Sequence, residues 1–329
     1  MITAQYYKAV ENGFIECLLC PRECKIGLGK KGFCNIRENK DGVLYSTGYA
    51  RTISIALDPI EKKPLYHFYP GTRILSIGPN GCNLNCQFCQ NYEISKLEAT
   101  TEILLPTSLI QLAEQNSSIG IAYTYTEPLI WFEYLRDAAP LIQSAGLKNV
   151  LVTNGYINEE PLSELLPNID AMNLDIKSMN PEFYKKVCFG ELSPVLRTAA
   201  LAVRFNVHVE ITNLVIPTLN DSDEDFRSLS RWMGEYLGEN AVLHLSAYFP
   251  RYKMNIEPTP LSTLKRAKDI ASEYLRYIYL GNVQYSNNTL CPYCGELLIK
   301  REGYKVQILA HKNPTRCPRC QNRIAINIF

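Results

Sequence analysis

Six short apolar segments alternate with amphipathic helical patterns through the middle of the chain, and this alternation restricts the fold more than any other feature. Strands that alternate with helices build a parallel sheet with helices outside it. Six units are fewer than the eight that close a full barrel, so the sequence predicts an α/β fold, a partial, open (β/α)6 barrel. The predicted strands are 73–79, 119–125, 149–155, 169–177, 207–216 and 241–248.

Helical periodicity follows or separates these strands, and 277–282 is a candidate edge strand. In a barrel of this kind the chemistry is found at the carboxyl ends of the strands. The predicted helices are 106–115, 127–145, 158–166, 181–187, 194–205, 221–238 and 259–276.

The composition is that of an ordinary globular protein: 46% of the 329 residues are hydrophobic and 20% are charged. The formal net charge of +1 gives no basic field that would attract nucleic acid, so a nucleic-acid partner is not expected. No apolar run approaches the ~18 residues that a membrane span needs, and the first residues do not resemble a secretory signal. A cytoplasmic protein without a membrane partner is therefore expected.

Twelve cysteines need an explanation, because eleven of them fall into three clusters. Disulfides are rare in the cytoplasm, and gaps of two or three residues between cysteines are typical of metal ligands. Cys188 stands alone and is expected to be a small buried residue. The clusters are Cys17, Cys20, Cys24 and Cys34; Cys82, Cys86 and Cys89; and Cys291, Cys294, Cys317 and Cys320.

The middle cluster lies in the segment GPNGCNLNCQFCQN, residues 78–91, which we call the three-cysteine loop. It follows the first predicted strand and therefore lies at the carboxyl end of the predicted sheet. An electron-transfer [4Fe–4S] cluster normally has four cysteine ligands, whereas three ligands leave one iron open to a substrate or cofactor. The alternative is a zinc site whose fourth ligand lies elsewhere in the chain.

The Cys-x3-Cys-x2-Cys spacing, with Phe88 just before the last cysteine, resembles the radical S-adenosylmethionine superfamily. This resemblance implies a [4Fe–4S] cluster held by Cys82, Cys86 and Cys89 as catalytic residues, with Phe88 in the cofactor site. It implies that the amino and carboxylate groups of S-adenosylmethionine chelate the open iron. It also implies that an electron from the cluster cleaves this cofactor and releases a 5′-deoxyadenosyl radical.

The second predicted strand ends in TYTEP, where members of the superfamily often carry Gly-Gly-Glu-Pro and use it to hold the methionine ammonium group. Glu127 and Pro128 match this pattern, whereas Tyr125 and Thr126 replace the glycines. The resemblance implies that Thr126 and Glu127 contact the cofactor, since a buried carboxylate suits an ammonium group. The alternative for Glu127 is an acid in the first turn of a helix, which the helix dipole favours.

The fourth predicted strand ends in LDIK, which resembles the stretch of glycyl-radical-enzyme activases whose acid and lysine contact the cofactor. This implies that Lys177 pairs with the methionine carboxylate, and Asp175 with the ammonium group or the ribose. The alternative is a structural ion pair, either between the two residues or with a neighbour. Thr153 and Asn154, in VTNG at the end of the third strand, are further cofactor-binding candidates or else ordinary turn residues.

From about Cys17 to Met254 the chain resembles the radical enzymes of the AmmeMemoRadiSam system, which are often labelled pyruvate formate-lyase activating enzyme-like. The resemblance rests on the N-terminal cysteines, on TYTEP, on HLSAYFPRYKM and on the dense stretch SIALDPIEKKPLYHFYPGTR. It implies an electron donor such as flavodoxin or ferredoxin, and a protein substrate that the enzyme activates or modifies. Five polar residues of the dense stretch either line the pocket or brace the N-terminal module against the barrel: Asp58, Glu61, Lys62, Lys63 and His67.

The substrate itself is left open by the sequence. Activases carry a histidine after the sixth strand, whereas this chain has Tyr248 and Phe249 near that place and His244 inside the strand. Radical modification of a small molecule or of RNA is therefore the alternative within enzymes. An iron–sulfur electron carrier or a metal-stabilised scaffold is the alternative outside enzymes, although a carrier gains nothing from an open iron.

The two outer cysteine clusters predict accessory metal sites. The N-terminal four suit an auxiliary iron–sulfur cluster or zinc, and spacing alone does not choose between them. The C-terminal pairs CPYCG and CPRCQ have zinc-ribbon spacing, with rubredoxin-like iron as the alternative; His311 is not expected to be a ligand. The predicted domains are a Cys-rich module (1–70), a radical SAM (β/α)6 core (71–284) and a zinc-ribbon or rubredoxin-like domain (285–329).

Overall fold

The computed structural model describes residues 1–309 and 315–326. In chain order its strands are β1 (Ile2–Thr3), β2 (Tyr7–Ala9), β3 (Ile15–Cys17), β4 (Lys25–Ile26), β5 (Arg37–Lys40), β6 (Val43–Ser46), β7 (Arg51–Thr52), β8 (Ile55–Pro59), β9 (Arg73–Ile77), β10 (Glu102–Ile103), β11 (Gly120–Tyr123), β12 (Lys148–Thr153), β13 (Ala171–Asp175), β14 (His208–Val215), β15 (Val242–Ala247), β16 (Tyr277–Gly281), β17 (Thr289–Leu290), β18 (Leu297–Glu302) and β19 (Lys305–Ile308).

The helices pack outside the central sheet or at its ends. They are α1 (Tyr92–Lys96), α2 (Leu109–Gln115), α3 (Phe132–Ser144), α4 (Glu159–Leu165), α5 (Pro181–Phe183), α6 (Leu192–Arg204), α7 (Asp223–Tyr236) and α8 (Leu261–Ala271). Short 3-10 turns lie at Glu11–Gly13, Ile60–Lys62, Pro106–Ser108, Pro128–Trp131 and Leu166–Asn168, and a π-helical turn lies at Tyr184–Cys188. No helix within the described residues is long and apolar enough to cross a membrane.

The centre of the described chain is an eight-stranded sheet in the order β16-β15-β14-β13-β12-β11-β9-β8. Neighbours are parallel from β9 to β16, whereas β8 pairs antiparallel with β9. The predicted partial (β/α)6 barrel is therefore confirmed, and β16 is the predicted edge strand. The sequence analysis missed β8, because IALDP ends in an acid and a proline, which are uncommon in strands; Pro59 is tolerated since β8 is an edge strand.

The predicted helices are present, with differences at their ends. The segment 127–145 divides into a 3-10 turn and α3, because Pro128 starts the turn and the Glu127 side chain caps it. The segment 181–187 becomes α5 followed by the π-helical turn. Helix α8 ends at Ala271, five residues before the predicted end at 276. Helix α7 begins with a capping box, in which the Ser222 hydroxyl accepts the Asp225 backbone N–H at 3.1 Å.

Small antiparallel sheets at both ends of the chain pack against the barrel. The N-terminal strands form the sheets β1-β6-β5 and β2-β3-β4, and a buried ion pair between Arg37 and Glu133 joins them to α3. The C-terminal strands form the sheet β17-β18-β19. The Arg301 guanidinium donates to the Tyr66 carbonyl oxygen at 2.7 Å, so this sheet contacts the segment that connects β8 to β9.

The connection 60–72 is fixed to the inside of the sheet by one buried carboxylate. Glu210, on β14, accepts the backbone N–H groups of Tyr66 at 3.0 Å and His67 at 2.7 Å. Burial alone would raise the pKa of Glu210. Hydrogen bonds from His208 and His244 outweigh the effect of burial and hold the pKa of this carboxyl group well below its usual value. A charged Glu210 therefore stays bound to the connection, whose first residues lie at the site described next.

Candidate active site

One cavity of about 410 Å³ lies at the carboxyl ends of the parallel strands, and we call it the rim cavity. It is bordered by the three-cysteine loop after β9 and by the residues that end or follow β11, β12 and β13. Because carboxyl ends of parallel strands meet at one edge of the sheet, predicted residues that are far apart in sequence come together there. All ten catalytic and cofactor-binding candidates line it: Cys82, Cys86, Phe88, Cys89, Thr126, Glu127, Thr153, Asn154, Asp175 and Lys177.

The three cysteines of the loop are free thiols at the wall of the rim cavity. Asn154 Nδ2 lies 3.5 Å from the Cys82 sulfur, and Ser95 Oγ lies 3.4 Å from the Cys89 sulfur. A hydrogen bond with Cys188 lowers the pKa of Cys86 to about 7, whereas burial raises the pKa of Cys82 to about 12. Cys188 is buried as predicted. It also contacts Cys86, one of the predicted cluster ligands, and its position in the sequence did not indicate this contact.

The backbone of the three-cysteine loop is held by its neighbours. The Asn85 N–H donates to the Cys188 carbonyl at 3.0 Å, and the Gln87 N–H donates to the Val187 carbonyl at 3.0 Å. At the start of the loop, a Cβ atom on Gly78 would lie only 2.1 Å from the Thr124 carbonyl oxygen. Glycine is therefore required for the close approach of the loop to the end of β11.

Tyr125 has a backbone φ of 71°, in the left-handed region that glycine adopts most easily. This is the position where the sequence motif of the resembling enzymes has a glycine. Three hydrogen bonds hold this conformation. The Tyr125 hydroxyl donates to Asp58 Oδ2 at 3.0 Å, and Asn91 Nδ2 donates to the Tyr125 carbonyl at 2.6 Å. The next residue, Thr126, donates from Oγ1 to the Pro79 carbonyl at 2.6 Å. The departure from the motif thus keeps a glycine-like backbone with a tyrosine side chain.

Glu127 is almost fully buried, with 1% of its surface exposed. Its Oε1 accepts the Leu129 N–H at 2.9 Å and the Thr153 hydroxyl at 2.6 Å, and its Oε2 accepts the Asn154 N–H at 2.8 Å. The carboxyl group therefore caps the turn Pro128–Trp131 and also joins the ends of β11 and β12. Burial raises the pKa of Glu127 to about 7, although these hydrogen bonds and Lys177 act in the opposite direction.

Asp175 and Lys177 form an ion pair with an Oδ2–Nζ distance of 3.3 Å. This is the structural alternative raised by the sequence, and it occurs at the wall of the rim cavity. Burial would lower the pKa of Lys177, but the charges of Asp175 and Cys86 outweigh it and raise the pKa well above its usual value. Lys177 is therefore a permanent cation, and its Nζ lies 5.8 Å from the centre of the Phe88 ring.

Of the five polar residues of the dense stretch, two line the rim cavity, and His67 contacts the ribbon rather than the N-terminal strands. Lys62 and Lys63 line the rim cavity, and both pair with Asp58, at 2.9 and 2.8 Å. Glu61 accepts the backbone N–H of Gly71 at 2.8 Å. His67 Nδ1 lies 2.7 Å from the Ala325 carbonyl oxygen of the ribbon, and its Nε2 lies 2.7 Å from Tyr279 Oη on β16.

Ser246, on β15, and Asn282, just after β16, also line the rim cavity. Sequence reasoning missed both, since neither lies in a recognisable motif. Tyr248 is buried and donates to the Met254 carbonyl at 2.8 Å, and His244 lies 2.6 Å from Glu210 inside the barrel.

The four C-terminal cysteines form a compact group at one end of the ribbon. Their sulfur atoms all lie within 4.8 Å of one another, with 3.6 Å between Cys291 and Cys320 and between Cys294 and Cys317. Four thiols at such distances suit a single tetrahedral metal ion. His311 falls outside the described residues.

Comparison with known proteins indicates the same class of enzyme as the residues of the rim cavity. Residues 76–230 match the family model described as the Radical SAM superfamily. The uncharacterized protein MJ0808 of Methanocaldococcus jannaschii is 42% identical over 99% of both chains. Pyruvate formate-lyase 1-activating enzyme of Escherichia coli K12 is 25% identical, over 62% of this chain and 90% of its own. The crystal structure of a radical SAM methyltransferase from Sphaerobacter thermophilus covers 70% of this chain and 71% of its own, with 15% identity and a TM-score of 0.52.

The fold and the rim cavity define an α/β-barrel enzyme with its site at the carboxyl ends of the strands. The chain belongs to the radical SAM superfamily and is similar to its activating enzymes. Membership of this superfamily implies a [4Fe–4S] cluster and S-adenosylmethionine as cofactors.

Proposed function

We propose that the enzyme holds a [4Fe–4S] cluster through Cys82, Cys86 and Cys89 and uses it to cleave S-adenosylmethionine reductively. The observation that carries this proposal is the rim cavity, where three free thiols face both a carboxylate and a lysine. Held by these three cysteines, the cluster would supply the electron for reductive cleavage of S-adenosylmethionine, and the cleaved cofactor would take a hydrogen atom from the substrate. The donor set fits the group, since three thiolates leave one iron for the cofactor.

The residues around the cysteines bind and orient the cofactor in this proposal. Glu127 accepts hydrogen bonds from the methionine amino group, and the backbone at Thr126 contacts the same group. Lys177 pairs with the methionine carboxylate, while Asp175 accepts from the ammonium group or the ribose. Thr153 and Asn154 add polar contacts at the end of β12, and Phe88 shields the cysteines from water.

The substrate in this proposal is a protein that the enzyme activates or modifies, because the activating enzyme from E. coli is named for pyruvate formate-lyase. Modification of a small molecule or of RNA is the alternative. A reduced flavodoxin or ferredoxin supplies the electron. Residues 71–284, together with β8 from the predicted Cys-rich module 1–70, would form the catalytic core. Residues 285–329 would form a ribbon that binds zinc through its four cysteines, since Zn²⁺ prefers a closed tetrahedron of sulfur ligands.

The direct test of the function is anaerobic. The protein is reconstituted with iron and sulfide, reduced with dithionite and given S-adenosylmethionine, and 5′-deoxyadenosine is measured by chromatography. We expect production that depends on both reductant and cofactor. A reducible cluster that leaves the cofactor intact would instead indicate an electron carrier.

Cofactor binding is expected to weaken as the pH falls through about 7, because Glu127 then becomes protonated. A protonated carboxyl group is a much weaker acceptor for the methionine amino group than a carboxylate, so Glu127 should raise the Kd for S-adenosylmethionine by up to about tenfold per pH unit below that value. Above it the carboxylate is already formed, and no further gain is expected. Equilibrium dialysis with the oxidised holoenzyme between about pH 5.5 and about pH 7.5 measures this slope.

The control for the pH dependence is Glu127→Gln. Glutamine retains an oxygen that accepts from Leu129 and Thr153 but has no titrating group. We expect weaker binding and a shallower pH slope, since only the amino group of the cofactor, which must be neutral to bind iron, still titrates in this range. An equal slope in the variant and the wild type would assign the pH dependence to another group.

A further inference from the structure

The four N-terminal cysteines surround one small cavity between the N-terminal sheets and the barrel. Cys17, Cys20 and Cys34 are buried, Cys24 is half-buried, and all four are free thiols. The rest of the lining combines apolar side chains, Leu19, Ile26 and Ile130, with polar ones. A group of thiols buried around a common space in a reduced protein is the arrangement of a metal site.

The ribbon provides an internal standard for the size of a single-ion site. A tetrahedral ion with metal–sulfur bonds of about 2.3 Å separates its sulfur ligands by about 3.8 Å, and the ribbon pairs lie at 3.6 Å. Within residues 1–309 and 315–326, the ribbon cysteines are the only group of three or more cysteine, histidine or acidic ligands whose atoms all lie within 4.8 Å. The N-terminal sulfurs are therefore spread more widely than a single ion requires. A cube of four irons holds its cysteines further apart than one ion does, so it accommodates sulfurs that lie beyond this limit.

Two arginines add positive charge beside this cavity. Arg37, with 1% of its surface exposed, donates from Nη1 to the Cys17 sulfur at 3.3 Å and pairs through Nη2 with Glu133. Its buried Nε has no hydrogen-bond partner among the described residues. Arg22, between two of the cysteines, also lines the cavity. Positive charge and a free N–H group suit the sulfides and thiolates of an anionic cluster.

The N-terminal cavity lies directly beside the three-cysteine loop. Arg22 Nε donates to the carbonyl of Asn83, the residue after Cys82, and Asn83 itself lines the N-terminal cavity. A Cβ on Gly81 would lie 2.3 Å from the Cys34 carbonyl oxygen, so the two cysteine segments touch through their backbones. A metal group held by the N-terminal cysteines would thus be adjacent to the proposed catalytic site.

We propose that Cys17, Cys20, Cys24 and Cys34 ligate a second [4Fe–4S] cluster rather than zinc. Four cysteine ligands leave none of its irons open. This cluster therefore does not bind S-adenosylmethionine, in contrast to the cluster of the three-cysteine loop.

The test measures iron, acid-labile sulfide and zinc in the full-length protein after anaerobic reconstitution. The informative variant replaces Cys82, Cys86 and Cys89 by alanine and leaves the N-terminal cysteines untouched. We expect about eight sulfides per wild-type chain and about four per variant chain. Sulfide distinguishes the result from iron in the ribbon, since a rubredoxin-like site contains none. The variant's circular dichroism shows whether it is folded.

A second measurement uses the wild type alone, so that it does not depend on a variant. The electron paramagnetic resonance spectrum of the reduced protein should contain two cluster signals, of which S-adenosylmethionine changes one. A triple variant that has no sulfide, whether it binds one zinc ion or two, would overturn the proposal. Four sulfides in the wild type that persist unchanged in the triple variant would support the N-terminal cluster while contradicting the three-cysteine one.

Discussion

Replacing Cys86 by alanine is expected to reduce 5′-deoxyadenosine production to background, a loss of at least about a thousandfold. Cys86 is the middle ligand of the three-cysteine loop and is buried at the wall of the rim cavity. Without it the proposed cluster has only two cysteine ligands, so the variant should also lose about four irons. Product formation and metal content are measured on the same anaerobic preparation, which ties the loss of activity to the loss of the cluster.

Cys188→Ala is the matched control for this variant. Cys188 is also buried, it contacts Cys86, and it lies outside the three cysteine clusters. Removing its thiol should cost about 1 kcal/mol or less of the free energy of unfolding and leave iron content and product formation close to wild type. Equal losses in both variants would show that Cys86 acts through packing, and continued production by Cys86→Ala would contradict its role as a ligand.

The fold was largely predictable because its parallel strands are buried on both faces and therefore form continuous apolar runs. Strands such as β11 (GIAY) and β15 (VLHLSA) are buried along their whole length. Strand β8 lacks this signal, since it is an edge strand whose acid, Asp58, is used for ion pairs at the rim cavity. The strands of the small N-terminal and C-terminal sheets are only partly buried, so they lack a continuous apolar run.

The site was predictable where a residue lies in a motif at the end of a strand, because topology alone brings such residues together. Contacts that depend on side-chain direction were not predictable. Lys63 and His67 lie four residues apart in one connection, yet Lys63 faces the rim cavity and His67 contacts the ribbon. Likewise, Asp175 and Lys177 are both an ion pair and part of the cavity wall, two roles that the sequence presented as alternatives.

Replacing Cys291 and Cys294 together by serine is expected to unfold the ribbon and to loosen the connection 60–72. The described apolar core of the ribbon is small, consisting of Cys291, Leu298, Ile299, Cys317, Ile324 and Ile326. A core of this size cannot hold such a segment folded by itself, so the metal that we propose for its four cysteines would supply most of the stability, on the order of 10 kcal/mol for a zinc site. The variant should lose one metal ion per chain and become sensitive to limited proteolysis between the barrel and the ribbon.

The effect should extend to the barrel, because the ribbon supports the connection that leads to the rim cavity. Arg301 donates to the Tyr66 carbonyl, and Ala325 contacts His67, so unfolding of the ribbon removes both contacts from the connection that carries Lys63. We therefore expect a lower Tm for the barrel, and product formation reduced severalfold but not abolished. Tyr304→Ser, at an exposed position of the same hairpin, is the control and should change neither quantity. A double variant with wild-type protease resistance would show that the ribbon folds without its metal.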